Sequence, residues 1–276
     1  MLHPDLTRRA ASSVFLLPLL TTPAGLRAHA AVKFEGGAEA AQRAAALLPG
    51  YGPPDALYPA AFRGRWRVVV QVVDVRTPQG EESAPAAQLR AARTAAAAAA
   101  PLVFDARFLN AEGSGGVILQ SEGSASLATR PVAGRVRADR GFNTEQRAAA
   151  QVGSARPVAQ WEAGSPNVLT LTDGLGGVRE VKIIKRLVEE PYDGAYGVSE
   201  FARYTAATSA GDLKSSPSVL AQRVQTKYKW EPGRPSQPAT RIEAVEIAVL
   251  ASGFGDPAGA VPLLVVKSRL TFTRSS

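Results

Sequence analysis

Strand-like runs separated by turn signals follow one another through most of this sequence, from residue 67 to residue 273. The runs are rich in β-branched residues or alternate between apolar and polar residues, as half-buried β-strands do. Gly, Pro and Asp cluster between the runs, and βαβ alternation is missing, so the pattern predicts an antiparallel meander. The predicted strands, about nine in number, cover residues 67–75, 102–109, 134–139, 168–172, 178–188, 198–205, 219–230, 242–250 and 263–273.

The alternation within the later runs predicts that this meander closes into a barrel. In the last run, one face carries Leu264, Val266, Leu270 and Phe272, and the other carries Lys267, Arg269 and Thr271. The run 219–230 has a similar stripe, which includes Tyr228 and Trp230. A meander with such faces buries its apolar side and loses its exposed edges when it closes on itself. We therefore predict an all-β fold, a single antiparallel up-and-down barrel with short helices that spans residues 58–276.

The first thirty residues are typical of a cleavable export signal. A pair of arginines, Arg8 and Arg9, precedes a short apolar run at 14–20, and the small residues Ala28 and Ala30 follow it. The paired arginines favour the twin-arginine route, with cleavage after Ala30. The apolar run is too short to span a bilayer, so no transmembrane segment is expected in the mature chain. The alternative is an N-terminal helix that stays on the protein.

Two further segments have a biased composition. Residues 31–57 are rich in Ala, Gly and Pro, and we predict that they link the export signal to the barrel. A second biased stretch, at about 80–100, contains an unbroken run of alanines from Ala95 to Ala100. This composition is typical of a low-complexity insertion, helical or disordered, and predicts no packed role for it.

The scarcity of two residue types excludes many reaction mechanisms. The chain has no cysteine, and its two histidines, His3 and His29, both lie in the predicted export signal. A mature chain without them has no thiolate nucleophile, no Ser-His-Asp triad and no imidazole ligand for zinc or haem. Phosphate-binding glycine loops and calcium-binding loops are missing from the sequence as well. We therefore expect no catalytic residues, no cofactor and no metal site.

The chain is basic, with a formal net charge of +8 at pH 7. Its Lys and Arg residues are spread through the strand-like runs, where they alternate with apolar residues. A nucleic-acid-binding chain instead clusters them on one element beside aromatic residues. The pattern indicates the solvated exterior of a barrel and predicts no nucleic-acid partner. Attraction to an acidic membrane surface or to an acidic protein remains open.

A Gly-x-Trp motif stands at the start of the first long strand, at Gly64-Arg65-Trp66. It resembles the signature of the lipocalin and calycin barrels. The resemblance implies a lipocalin-like barrel in which the Trp closes one end and an Arg near the end of the barrel, here Arg269, packs over it. A Trp that plugs the end of any β-barrel packs in the same way and implies no ligand. The residues predicted for ligand binding or barrel closure are Gly64, Trp66, Arg269, Tyr228 and Trp230.

The segment from Arg137 to Asn143 combines charge with a turn signal. Asp139 is suited to pair with Arg137 or Arg140, Gly141 allows a tight turn, and Asn143 is a residue type that caps helices. One interpretation is a polar rim, formed by Arg137, Asp139, Arg140 and Asn143, that contacts a ligand head group or a partner. The other is an ion-paired strand end with a structural role alone.

Two longer stretches carry a second resemblance. They are Tyr58-Pro59 with the following Phe62-x-Gly64-x-Trp66, and residues 136–143. They look like an uncharacterised family of cyanobacterial and plastid proteins, and the likeness extends over residues 50–275. The resemblance implies a location in or on the thylakoid, which with the export signal means the chloroplast thylakoid lumen. The periplasm or another exported compartment is the alternative. The family implies no catalytic residues.

Three functions are compatible with these features. The first is a barrel that binds an apolar small molecule, such as a lipid, a pigment or a quinone-like compound. The second is a non-enzymatic accessory or assembly factor that docks on a photosynthetic membrane complex. The third is a carboxylate-dependent isomerase or cyclase, which requires an Asp or Glu directed into a cavity. We expect Glu180, Glu200 and Glu246 to lie at the surface or in ion pairs.

Overall fold

The structure of the protein is a computed structural model that describes most of the chain from Pro53 onward. The described residues are 53–111, 135–152, 157–162, 165–173, 177–207, 218–231, 239–251 and 260–275. The predicted export signal, with Ala28 and Ala30, and most of the predicted linker lie outside these residues.

Two helices and eleven strands make up the described part of the fold. The helices are α1 (Ala86–Ala97) and α2 (Arg140–Val152), and a single 3-10 turn covers Ala60–Phe62. The strands are β1 (Leu57–Tyr58), β2 (Gly64–Arg76), β3 (Leu102–Asn110), β4 (Val136–Ala138), β5 (Val158–Trp161), β6 (Val168–Thr172), β7 (Val178–Val188), β8 (Ala195–Ala207), β9 (Ser218–Lys229), β10 (Arg241–Ala251) and β11 (Pro262–Arg274).

All eleven strands belong to one antiparallel sheet, which curls into a half-barrel. The strands from β5 to β11 follow one another as a meander, and β2, β3 and β4 form a second, shorter one. The two meanders are joined where β11 pairs with β2, while β1 pairs with the far side of β4. The strands β1 and β5 are therefore the two edges of the sheet.

The predicted all-β, antiparallel architecture is confirmed, but the strand number and the degree of closure differ. The described strands number eleven instead of about nine because β1 and β5 were not predicted. They contain two and four residues, too few for alternation to be recognised. The sheet is also open, and α2 packs against β3 on one side and against β5 and β6 on the other. The helix thus spans the open side of the half-barrel.

Aromatic side chains fill one end of the half-barrel, which we call the aromatic end. Alternate residues of each strand point to the concave face, and Trp66 and Val68 of β2 are both fully buried there. Neighbouring rings lie 5.0–6.4 Å apart, mostly in the tilted or edge-on orientations that aromatic pairs prefer. The aromatic end comprises Tyr58, Phe62, Trp66, Phe108, Tyr196, Tyr228, Trp230 and Phe272.

The alanine-rich stretch is a packed helix, so the prediction that it has no packed role was wrong. Its residues Ala86–Ala97 form α1, which lies against β2, and Leu89 and Ala92 of this helix are 6% and 0% exposed. These side chains pack with Leu250, Leu264 and Val266 at the strand ends opposite the aromatic end. Alanine has the highest helix propensity, and its small side chain lets a helix lie close to a sheet.

Two side chains fix the start of α2 to β3. Asp139 accepts a hydrogen bond from the backbone N–H of Phe142 at 3.1 Å, as an N-cap residue does, and its other oxygen accepts one from Arg107 Nε at 2.9 Å. Asn143 bonds both backbone groups of Arg107, since its Oδ1 accepts at 2.7 Å and its Nδ2 donates at 3.2 Å. These contacts orient α2 so that one of its faces points into the half-barrel.

Candidate ligand-binding cavity

The concave face of the sheet and the two helices line a cavity of about 610 Å³. Its walls are mostly apolar side chains from alternate strand positions, for example Val70, Leu102, Val224 and Leu270. The residues of α2 that line the cavity follow helical spacing. They are Arg140, Asn143, Thr144, Arg147, Ala150 and Gln151. The cavity is therefore an apolar space with a polar strip along one helix.

Trp66 lies at the aromatic end of this cavity and is fully buried. Its indole N–H donates a hydrogen bond to the carbonyl oxygen of Phe62 at 2.6 Å, which ties β2 to the preceding turn. Gly64 has a φ of +104°, and a Cβ at this position would lie 3.0 Å from Arg274 Nη1. Glycine is therefore favoured here both by the backbone conformation and by the space available.

The arginine that covers Trp66 is Arg274, so the prediction of Arg269 was wrong. The guanidinium carbon of Arg274 lies 4.6 Å from the centre of the Trp66 ring. Arg274 also donates hydrogen bonds to three backbone carbonyls, at 2.8, 2.9 and 3.4 Å. Arg269 is exposed on the outward face of β11. The alternation of β11 explains the difference, because Arg274 is on the same face of the strand as the buried Phe272 and Arg269 is on the opposite face.

Tyr228 and Trp230, which were also predicted for ligand binding or barrel closure, lie at the aromatic end. The ring centroid of Phe62 is 5.1 Å from that of Tyr228 and 5.6 Å from that of Trp230. Tyr228 lines the cavity as well. The structure thus brings four of the five predicted residues together, and Tyr228 is the one of them in a position to contact a bound molecule.

A network of four charged side chains lies beside the cavity. Glu200, on the inner face of β8, accepts hydrogen bonds from Arg140 Nη1 at 3.1 Å and from Arg186 Nε at 2.7 Å. Asp55 Oδ1 lies 3.5 Å from Arg140 Nε and 3.6 Å from Arg186 Nη2. The side chains of Arg140, Glu200 and Asp55 are 16–18% exposed, and that of Arg186 is 1% exposed. Two positive and two negative groups balance, so the network is neutral as a whole.

This pairing keeps Glu200 ionised. Burial by itself raises the pKa of the Glu200 carboxyl, but the charges and hydrogen bonds of Arg140 and Arg186 outweigh it and lower the pKa from 4.5 to about 2. Burial likewise lowers the pKa of Arg140, and the attraction of Glu200 outweighs it and raises this pKa above its ordinary value. Glu200 therefore carries no proton that it could donate as a general acid at neutral pH.

A second ion pair joins α2 to β10 across the cavity. Arg147 donates to both carboxylate oxygens of Glu246, at 2.8 and 3.2 Å, in the two-pronged geometry that arginine and carboxylate favour. Glu246 is 9% exposed and lies between Ala244 and Ala248 on the inner face of its strand. Of the three glutamates discussed from the sequence, Glu200 and Glu246 are thus paired inside the fold.

The inward position of these two glutamates was not predicted, although the sequence contains a signal for it. Glu246 has the parity of Ile242, Ala244 and Leu250, which are all buried. A carboxylate in the middle of an otherwise apolar face of a strand marks an inward-facing charge that needs a partner. Glu180, by contrast, is exposed.

Three tyrosines that line the cavity keep their hydroxyl protons. Burial raises the pKa of Tyr58 and of Tyr204 to about 12, and it raises the pKa of Tyr228 well above its ordinary value. At neutral pH these hydroxyls donate and accept hydrogen bonds but do not act as bases. They add hydrogen-bonding groups to the cavity wall without adding charge.

The residues of the predicted polar rim have different surroundings. Asp139 and Asn143 hold α2 on β3, and Arg107 is the ion-pair partner of Asp139. Arg140 points into the fold, where it meets Glu200. Arg137 lies half-buried on β4. Of the predicted rim residues, Arg140 and Asn143 line the cavity.

The described residues offer no obvious place for a metal ion, since no group of three or more Asp, Glu, His or Cys side chains lies close together among them. The carboxylates that line the cavity, Glu200 and Glu246, are bound by arginines instead. In the same part of the chain, neither helix is long and apolar enough to cross a bilayer.

The described part of the chain lies within the match to one protein family. A family model, described as a domain of unknown function (DUF6816), matches residues 50–276. The chain belongs to this family. The expected membership of an uncharacterised family is thereby confirmed, and the match covers all described residues from Pro53 to Ser275. No curated protein and no solved structure matches the chain.

Proposed function

We propose that the protein binds an apolar small molecule, such as a lipid, a pigment or a quinone-like compound, and that it does so without catalysis. The cavity of about 610 Å³, walled mainly by apolar side chains of the sheet, is the observation that carries this proposal. Its volume lies within the range of small-molecule sites, roughly 300–1,000 Å³. An interior filled by bulky side chains would instead support a purely docking role.

A lipocalin-like mode of binding is part of the proposal. The curled sheet would hold the apolar body of the ligand, and the aromatic end, where Arg274 covers Trp66, would form the floor. Small side chains at inward positions, such as Ala106 of β3 and Ala248 of β10, leave room for such a body. Neutral internal ion pairs also support an apolar ligand, because they leave the cavity without a net charge.

The carboxylates in the cavity support an isomerase or cyclase less strongly than the apolar walls support ligand binding. Glu200 and Glu246 meet the geometric requirement of that alternative, since both line the cavity. Both are held by arginines, however, and the low pKa of Glu200, about 2, makes it a weak base. A binding role requires neither group to change its protonation state.

Docking on a photosynthetic membrane complex is the second candidate function. One observation favours it: Leu187, Val188 and Tyr192, around the turn between β7 and β8, are 51%, 47% and 82% exposed. Exposed apolar side chains near one turn are candidates for contact with a partner. Docking does not need an open cavity, so experiments that fill the cavity separate the two functions.

Filling the cavity should weaken ligand binding. Ala248→Phe places a large ring in the cavity, and it should weaken the binding of N-phenyl-1-naphthylamine, an apolar fluorescent dye, by at least about tenfold. Titration of the purified protein with the dye, followed by fluorescence, measures this. Val249→Phe is the matched control, because it adds the same ring on the outward face of the same strand and should leave dye binding unchanged.

Two outcomes would contradict the binding proposal. One is a wild-type protein that does not bind the dye, and the other is an Ala248→Phe variant that binds it as well as Val249→Phe does. Circular dichroism and thermal melting of both variants show whether the ring disturbs the fold. Either of the two contradicting outcomes would favour the docking function instead.

We also propose that the chain is exported to the thylakoid lumen, with the periplasm or another exported compartment as the alternative. The export signal expected at residues 1–30 and the likeness to cyanobacterial and plastid proteins support this location. Intact-mass spectrometry of the protein from isolated thylakoids should give a chain that begins at Ala31. A mass that still includes residues 1–30 would contradict cleavage after Ala30.

A further inference from the structure

Three amide side chains line the cavity with buried polar atoms that find no hydrogen-bond partner among the described residues. They are Gln88 of α1, Gln151 of α2 and Asn167, just before β6. In Gln151 and Asn167 the side-chain oxygen lacks a partner, whereas in Gln88 both Oε1 and Nε2 do. Gln88 is also 6% exposed, so bulk water does not replace the missing partners.

Gln88 is not required by the packing of α1. The adjacent Leu89 already anchors the helix in the apolar cluster, and glutamine and methionine have nearly equal helix propensities. The cavity wall near α1 includes the apolar side chains of Val72, Leu250 and Leu264. A buried amide without partners destabilises a fold. The loss is removed when the Gln88 side chain turns toward a molecule in the cavity that supplies an acceptor and a donor.

The charged groups of the cavity, unlike its amides, already have partners within the protein. Glu200 is paired with Arg140 and Arg186, and Glu246 is paired with Arg147. A ligand with a charged head would have to break one of these pairs or remain uncompensated, and both are unfavourable in a buried site. Of the described cavity residues with unpartnered polar atoms, Gln88 is the one in which both a donor and an acceptor lack partners.

We propose that the molecule bound in this cavity carries an uncharged head group that both donates and accepts hydrogen bonds, such as a carboxamide, and that Gln88 binds this head. The inference rests on the proposed function and narrows its ligand class. A carboxamide and the Gln88 side chain complement each other, because each offers one N–H donor beside one carbonyl acceptor. The apolar body of the ligand would extend along the inner face of the sheet.

A pair of probes that share a chain but differ in the head group tests this inference. Dodecanamide has a donor and an acceptor, and methyl dodecanoate has acceptors alone. Each is titrated against N-phenyl-1-naphthylamine, and the ratio of the two inhibition constants is compared between wild type and Gln88→Met. We expect this ratio to shift about tenfold against the amide in the variant. The matched control, Gln71→Met, changes an exposed outward glutamine of β2 and should leave the ratio unchanged.

The melting temperature of the ligand-free variant separates binding from structure. If Gln88 serves a ligand, Gln88→Met should melt at the same temperature as wild type or higher, because a partnerless amide has been removed. A lower melting temperature, or an unchanged probe ratio, would overturn the assignment of Gln88. If dye binding is lost in Ala248→Phe while the probe ratio does not respond to Gln88→Met, the binding function stands and only this inference fails. A wild type that binds neither dye nor probe overturns both.

Discussion

Replacing Glu200 with glutamine should lower the free energy of unfolding by about 3–5 kcal/mol. The substitution keeps the size of the side chain but removes the negative charge between Arg140 and Arg186. The side chain of Arg186 is 1% exposed, so its charge would remain buried with Asp55 as the nearest compensation. Urea denaturation at pH 7, followed by circular dichroism, measures the loss.

The control for this substitution is Glu243→Gln on β10. Glu243 also pairs with an arginine, Arg241, but both side chains are about two-thirds exposed, and solvent screens such pairs. The control should change the free energy of unfolding by less than about 1 kcal/mol. A similar effect in both variants would show that the buried network contributes no more than a surface pair.

The same network predicts the direction of the acid response. Because the pKa of Glu200 is lowered from 4.5 to about 2, its ionised form stabilises the fold above pH 4.5. That contribution is lost as the pH falls from 4.5 towards 2, since the unfolded chain takes up this proton first. The difference in stability between wild type and Glu200→Gln should therefore shrink across this interval. A difference that stays constant down to pH 2 would contradict the assigned pKa.

Replacing Trp66 with alanine should cause a loss of similar size, about 3–5 kcal/mol. The side chain is fully buried, and its removal leaves a cavity under Arg274 and an unpaired carbonyl on Phe62. Urea denaturation followed by far-ultraviolet circular dichroism measures this loss without relying on tryptophan fluorescence. Trp66→Phe is the control, because it retains an aromatic ring and should lose clearly less. Equal losses in both variants would assign the effect to the indole N–H rather than to packing.

The long strands could be predicted from the sequence because one face of each is buried and the other is solvated. Strand β11 illustrates this, since the parity of Leu264 and Phe272 fixes both its limits and its inner face. Strands β1 and β5 could not be found in this way, because their two and four residues show no period. The packing of α1 was also missed, because an alanine-rich composition is compatible both with a packed helix and with a disordered segment.

The residues of the candidate site were predictable in part. Trp66 and its glycine could be singled out because a motif of adjacent residues carries them. One partner of Glu200 could not, because Arg140 lies 60 residues away along the chain and only the folded structure brings them together. Arg274 could have been predicted, because residues two apart on a strand share a face and Arg274 follows Phe272 at that spacing. Arg269 was chosen from the motif alone, and it lies on the opposite face of the strand.

The pairing of β11 with β2 also determines when this protein can fold. Trp66 of β2 lies opposite Arg274 of β11, about 200 residues later, and contacts so distant in sequence form slowly. The half-barrel cannot be completed until its last strand has left the ribosome. A chain that ended before β11 would leave the edges of β2 and β10 free to aggregate. If the chain is exported in its folded state, the last residues to be translated would decide whether it is competent for transport.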